Sequence, residues 1–461
     1  MPESPDPASP APKSGAGVQT ATPSTNDVAV NGAHKNGAAE IVTATGRGGG
    51  GFSFRNLRTF SSMSNPVFRL YYASMLGQMG AMNIELIARS LLIYRMTNSG
   101  AILGIMALAQ SLPMLFLALF GGVMADRIQK RTILIIGQVG GAASAFLVAL
   151  ALIFGFLSEN RHDTWWILIV AAVVKGIAQG FMLPARQAVV PEIVRPDQVM
   201  NAVALNNFGQ NILRLGAPAF AGFMVDFFGF MAVYLIMTVL YLESLFTAVL
   251  MPRTRGRIAA SGKTAMAEMK EGLRYVRKEP SIMIVLVFTL FVVMLSQPYM
   301  QMLPIFTEKV LGVGASGMGI LVSVSGIGAV VASLILASLP DKKRGLMLLA
   351  SCIVMGLALI VFSFSPLLSL SMGAMIFIGM GQTGRMTLAN ALLQTYTVNE
   401  YRGRVMSLYM IDFAITSIGV FFVGLASDIF GVQWSVGSLA IALVVLSIAM
   451  LFLSRRMRVL D

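Results

Sequence analysis

The chain has 461 residues, of which 56% are hydrophobic and only 12% charged, with a mean hydropathy of +0.76. A water-soluble domain carries about 25% charged residues, so this composition excludes an ordinary soluble fold and predicts a chain dissolved in lipid. The formal net charge of +13 falls in short loops rather than on one soluble face, which argues against a nucleic-acid partner, and one cysteine (Cys352) with two distant histidines (His34, His162) supports neither a disulfide framework nor a metal site.

Residues 1–60 are rich in Pro, Ala, Ser, Thr and Gly and end in Gly48 to Gly51. Such a stretch cannot bury enough apolar area to offset its chain entropy, so a disordered cytoplasmic tail is expected; it has no apolar core of signal-peptide length and is not expected to be cleaved. Since about 20 apolar residues cross the hydrocarbon, the rest reads as twelve spans. They run at about 68–94, 100–124, 132–157, 164–188, 201–227 and 230–251, then 281–307, 312–338, 345–366, 367–395, 404–429 and 432–454. The fold class is therefore all-α integral membrane, with twelve transmembrane helices in two pseudo-symmetric six-helix bundles, 66–252 and 281–454. Between them lies a central loop, 253–280, whose stretch from Met266 to Arg277 has helical character along the membrane surface. A basic tail, 455–461, closes the chain.

Alternate loops carry Arg127, Lys130 and Arg131; Arg195; the run from Arg253 to Lys278; Lys342, Lys343 and Arg344; Arg402 and Arg404; and Arg455, Arg456 and Arg458. The opposite loops hold little beyond Arg95, Arg161 and Lys309. Positive charge collects on the cytoplasmic side, so both termini and the central loop are expected there, in a multi-pass protein of the plasma membrane.

Two internal echoes support a duplication. Gly122, Met124, Ala125, Asp126, Arg127, Lys130 and Arg131 are matched by Ala337, Leu339, Pro340, Asp341, Lys342, Lys343 and Arg344, the aspartates lying 215 residues apart. Gly222, Asp226, Phe228 and Gly229 are matched by Gly424, Asp428, Phe430 and Gly431 at an offset of 202. A duplicated helix bundle in lipid is the plan of a secondary transporter.

The loop Gly122-x-Met124-Ala125-Asp126-Arg127 with Lys130-Arg131 resembles the signature loop of the major facilitator superfamily, with Gln129 where a glycine is usual. Pro184-Ala185-Arg186-Gln187, Pro191-Glu192, Asn201-Ala202, Arg214-x-Gly216-x-Pro218-x-x-x-Gly222, Glu271-Gly272-Leu273-Arg274-Tyr275 and Arg402-Gly403-Arg404-Val405-Met406-Ser407 are similar to its enterobactin-exporter and macrolide-efflux branch. The resemblance covers nearly everything after residue 65. It implies helices 1, 4, 7 and 10 around a central cavity, and its fifth-helix motif (Gly216, Pro218, Gly222) goes with export. In that motif Ala217 replaces the usual glycine.

An acid at the end of the second helix can meet the positive N-terminus of the eleventh, so Asp126 is a candidate cytoplasmic gate with Gly122, Arg127, Lys130, Arg131, Arg402 and Arg404. Asp341 would face the start of the fifth helix; ordering a tight loop is the alternative for both aspartates. Ionisable groups inside spans are costly and are functional candidates by default. On the first span Tyr71, Gln78, Glu85 and Arg89 fall within about 20° of one line. Glu85 is a candidate proton acceptor or, alternatively, a static partner of Arg89. Asp412 is the other interior acid and completes the proton-coupling set. Lys175, Arg214 and Arg385 lie near mid-membrane and, with Gln78 and the polar break at Gln297-Pro298-Tyr299, are candidate cavity residues; for Arg214 the alternative is an internal polar network on the fifth helix with Asn207, Gln210 and Asn211. Their basic excess favours an anionic substrate. Pairing of Arg385 with Asp412 and of Lys175 with Glu85 would point instead to a cationic multidrug cavity.

Gly312-x-Gly314-x-x-Gly317 lacks the strand that a dinucleotide site needs, and no phosphate loop or catalytic triad is present. The expected protein is thus a monomeric, cofactor-free, non-enzymatic exporter of an amphipathic small molecule, siderophore-like, macrolide or other drug-like, that exchanges cargo for protons by alternating access. An uncoupled facilitator or importer and a non-transporting receptor or scaffold are the alternatives.

Overall fold

In hydrocarbon every backbone N–H and C=O needs an internal partner, and continuous helix supplies it. The computed structural model describes residues 58–127, 129–252, 265–340, 342–409 and 411–460, without the side chains of 58–60, 118–127, 183–185, 187, 188, 265–269, 413 and 414. The expected disordered tail, the first half of the central loop and Asp341 lie outside this description, as do the side chains of Asp126 and Arg127. The described residues form helices α1 (Pro66–Thr97), α2 (Gly100–Arg127), α3 (Lys130–Ile153), α4 (Trp166–Ile193), α5 (Val199–Leu250), α6 (Ala265–Lys278), α7 (Pro280–Ser296) and α8 (Pro298–Ile305). The remainder are α9 (Gly314–Ser338), α10 (Arg344–Phe364), α11 (Leu368–Tyr396), α12 (Arg402–Tyr409), α13 (Asp412–Phe430), α14 (Val432–Leu453) and α15 (Arg455–Val459).

These supply the twelve expected spans: α5 contains the fifth and sixth, α7 with α8 makes the seventh, and α12 with α13 the eleventh. Among the described residues seven helical stretches are apolar and long enough to cross a membrane on those grounds alone. Helices α1 and α11 are not among them, since each carries ionisable and amide groups on an interior face. Helix α1 starts where Asn65 Oδ1 accepts from Val67 N at 2.9 Å, with Pro66 in its first turn, and ends on Asn98 in the left-handed region at φ 55°. The seventh span breaks at Gln297 and Pro298, as its proline predicts. The eleventh span is described as α12 and α13, on either side of Met410, which lies outside the description.

The second sequence echo has a structural meaning in its aspartates and glycines. Gly229 (φ 75°) and Gly431 (φ 82°) occupy left-handed backbone that lets two helices reverse direction in almost no chain. Asp226 Oδ2 accepts from Ser316 N at 2.7 Å in the first turn of α9, while Asp428 accepts from Gly100 N at 2.7 Å and Ala101 N at 3.0 Å at the start of α2. Ser99 Oγ also donates to Asp428, at 2.6 Å. Gly222 and Gly424, one turn earlier, permit the approach: a Cβ there would stand 2.9 Å from the Ala315 carbonyl carbon and 2.8 Å from that of Gly100. Each half thus caps a helix of the other half.

Arg95 adds an ionic tie on the same face. Its Nε and Nη2 donate to Glu308 Oε1 at 3.0 and 2.9 Å, its Nη1 reaches Glu159 at 3.4 Å, and Asp226 lies 3.9 Å from Nη2.

On the face bearing the basic loops, several side chains bind within their own half or to α6. Lys130 pairs with Glu192, and Arg131 donates to the Ala248 and Val249 carbonyls at the end of the sixth span. Arg402 donates to Gln394 O at 3.2 Å. Arg404 meets Glu271 of α6 at 3.0 Å, and the Tyr275 and Tyr401 rings stack at 4.3 Å. Ser62 and Asn65 tie the start of the described chain to Asn201 and Ile193.

A carboxylate at a helix N-terminus contributes about 0.3–1 kcal/mol, up to about 2 when partly buried. The double variant Asp226→Asn/Asp428→Asn is therefore expected to widen the separation of spin labels at Asn160 and Leu367, shifting the population by up to about tenfold. An unchanged distance distribution would show that these caps do not hold the halves together.

Candidate functional site

A cavity of about 660 Å³ opens between the halves, and most of its wall comes from the first. Helix α1 contributes Gln78, Glu85 and Arg89, as its helical line predicts. Helix α4 contributes Lys175, Gln179, Met182 and Arg186, which recur at i, i+4, i+7 and i+11 on one face. Gln110 comes from α2, and Gln210 and Arg214 from α5; the second half adds Gln301, Thr416 and Ser417.

Glu85 is the centre of this wall. Arg89 Nη1 donates to its Oε1 at 3.3 Å, one helical turn away, while Lys175 pairs with its Oε2 across the α1–α4 boundary. All three side chains are nearly dry, at 6–9% exposure. Lys175 also lies 5.8 Å from the Tyr241 ring centre. Deleting the Glu85 charge would leave two buried cations without a counter-ion, a far larger cost than loss of a surface pair. Gln78 accepts from Gln138 at 3.0 Å and donates to the Met182 sulfur at 3.3 Å, which holds its amide at the cavity edge.

Arg214 lines the cavity as expected. Arg186, which the sequence places only within a motif, lines it too, with Nη2 3.7 Å from the Met79 sulfur. Its signal was available: it stands three helical turns beyond Lys175 on the same face. Three other expected cavity residues do not line this cavity. Arg385 is buried and turns to Asp412 at 3.7 Å, an attraction that a guanidinium at this depth requires. Tyr299 packs edge-on against Phe362, and Gln297 faces Gln382 at 3.5 Å. Asp412, grouped with Glu85 on sequence grounds, therefore belongs to a separate pair in the second half.

The fifth-helix motif sits between the halves. Pro218 has no N–H and frees a carbonyl of the preceding turn. The next amide, Ala219 N, donates to Ser323 Oγ of α9 at 3.2 Å, and Gly222 gives α9 its close approach, whereas Gly216 has open space around it. Of the gate candidates, Gly122, Asp126 and Arg127 are described only as backbone in the last turns of α2. No group of three or more metal-ligating side chains occurs among the described residues.

The sequence profile described as "Transmembrane secretion effector" matches residues 57–461. The Staphyloferrin A transporter of Staphylococcus aureus is 23% identical over 393 residues, covering 85% of this chain and 95% of that protein. Macrolide efflux protein A of Streptococcus pyogenes is 22% identical, over 73% of this chain and 84% of its own. The crystal structure of nucleoside transporter NupG superposes with a TM-score of 0.68 at 14% identity, covering 85% of this chain and 99% of that one. That likeness speaks to the fold.

The pair in the second half gives a stability test. Among the described residues Arg385 Nε and Nη1 and Asp412 Oδ1 have no hydrogen-bond partner, so each charge relies on the other for its balance. Asp412→Ala should cost about 3 kcal/mol by stranding Arg385, while Arg385→Met/Asp412→Leu together should cost much less. Thermal unfolding of the purified variants measures both. Equal losses in the single and double variants would mean that the pair carries no charge-balancing role.

Proposed function

Because the chain belongs to the transmembrane secretion effector family of the major facilitator superfamily, we propose that it exports an amphipathic small molecule of the siderophore, macrolide or other drug-like kind, by alternating access and in exchange for protons. The observation that carries this reading is the placement of Glu85 on the cavity wall between Lys175 and Arg89. A proton on Glu85 dissolves both pairs, and the freed cations must then find new partners. Since the partners stand on α1 and α4, re-pairing shifts those helices relative to each other. Proton occupancy is thereby coupled to the shape of the cavity.

In this scheme Glu85 carries the proton, with Arg89 and Lys175 as its counter-charges. Gln78 and Arg214 meet cargo, and the Arg385–Asp412 pair keeps charge balanced in the second half. Asp126 and Asp341 are assigned to closure of the cytoplasmic side by their position in the repeated loop. The basic loops support an orientation with both termini in the cytoplasm of a plasma-membrane protein, acting as a monomer.

One observation favours a second reading, an uncoupled facilitator: both oxygens of Glu85 are engaged, so the triad can also act as fixed internal structure.

Cells lacking the protein should retain a compound that cells expressing it release, as read by mass spectrometry of cell contents and medium. The Glu85→Gln variant should lose release against a concentration gradient while keeping downhill exchange. If no compound is retained, export is wrong. If Glu85→Gln releases the compound uphill at the wild-type rate, the proton step at Glu85 is wrong and the uncoupled reading stands.

A further inference from the structure

We propose that the cavity selects anionic, oxygen-rich cargo, a polycarboxylate or comparable polyanion, and that Arg186 and Arg214 are the residues that hold its charge. The inference rests on the transport reading of the cavity and is independent of the proton step at Glu85.

The expected cations do not carry it. Lys175 is committed to Glu85, and Arg385 to Asp412. On sequence grounds those two pairs would leave a cavity suited to cations. The lining shows why they do not: the pairs occupy the acids as well. The charged groups facing the cavity are Glu85 and Arg89 from α1, Lys175 and Arg186 from α4, and Arg214 from α5. Helix α2 and the second half present neutral groups among the described residues. Against four basic side chains there is one described carboxylate, already shared by two of them. An organic cation would find no free acid, and among the described lining residues it would find no aromatic ring to stack on either.

Arg186 and Arg214 are different. Among the described residues neither has a carboxylate partner, and the contact described for the Arg186 guanidinium is the Met79 thioether, a weak acceptor. Closing the cavity around guanidinium groups in this condition would be costly unless the cargo brings the counter-charge. Carboxylates suit the purpose, since their two oxygens match the planar fork of an arginine. The remaining polar wall consists largely of carboxamides, Gln78, Gln110, Gln179, Gln210, Asn211 and Gln301, which both donate and accept and so fit hydroxyl and carbonyl oxygens. A cavity of about 660 Å³ lies within the range that encloses a drug-sized molecule.

Two xanthene dyes of similar size and opposite charge provide the test: the dianion fluorescein and the cation rhodamine 123, with binding to the purified full chain read by fluorescence polarisation. Fluorescein should bind at least about tenfold tighter, a difference of about 1.4 kcal/mol. Citrate should displace it and the uncharged triethyl citrate should not. Arg186→Gln and Arg214→Gln should each reduce fluorescein affinity about tenfold and leave rhodamine 123 unchanged or tighter. Arg186→Lys and Arg214→Lys, which keep the charge, should retain most of the preference. The proposal is overturned if rhodamine 123 binds as tightly as fluorescein, if fluorescein shows no saturable binding, or if the preference survives in the double glutamine variant. None of these results bears on whether cells lacking the protein retain a compound, so export can stand while anion selection falls.

Discussion

The interaction on which the rest of this structure depends is the sharing of one carboxylate by two cations in a nearly dry wall. Glu85 holds Arg89 on its own helix and Lys175 on the neighbouring one. A single charge would have been expelled by the hydrocarbon, and a simple pair would have needed only one helix. The three-membered arrangement fixes the rotation of α1 against α4, and through that rotation it decides which of their side chains look into the cavity. Gln78 and Arg186 reach it because they share a helical face with a member of the triad.

The same need to satisfy polar groups away from water is met differently at the face away from the basic loops. There the unsatisfied groups are backbone amides at helix starts, and the partners are Asp226 and Asp428. Because each aspartate comes from the opposite half, closing this face and capping the helices are one event. Separation of the halves would expose the same amides to water, which can replace the aspartates at modest cost. A contact of this kind can part at modest cost, whereas a large apolar interface could not.

Much of this was legible in the sequence. The twelve spans follow from hydrophobic length, the break in the seventh from Pro298, and the interior line of α1 from the spacing of Gln78, Glu85 and Arg89. The echo of Gly222, Asp226 and Gly229 in Gly424, Asp428 and Gly431 was visible as repetition, but its content was not, because capping across halves depends on which helices meet in space. Partner choice was hidden for the same reason. Nothing in a linear reading tells that Lys175 is held by Glu85 on the cavity wall, or that Arg385 turns to Asp412 rather than to cargo. The only linear sign of Arg186 is its distance from Lys175, three helical turns along the same face.

The predominance of positive charge on the cavity wall has an electrical consequence. A transport cycle that carries a negatively charged molecule outward and returns without it moves negative charge out of the cell. Across an inside-negative membrane such movement is downhill by about 2.3 kcal/mol per elementary charge for each 100 mV. That is about a fifty-fold concentration ratio for each negative charge on the cargo. For a trianion the membrane voltage alone would sustain a steep outward gradient, with no other ion bound. In such a cycle the arginines of the wall set the driving force as well as the selectivity, because the number of negative charges they accept fixes how strongly the voltage pulls.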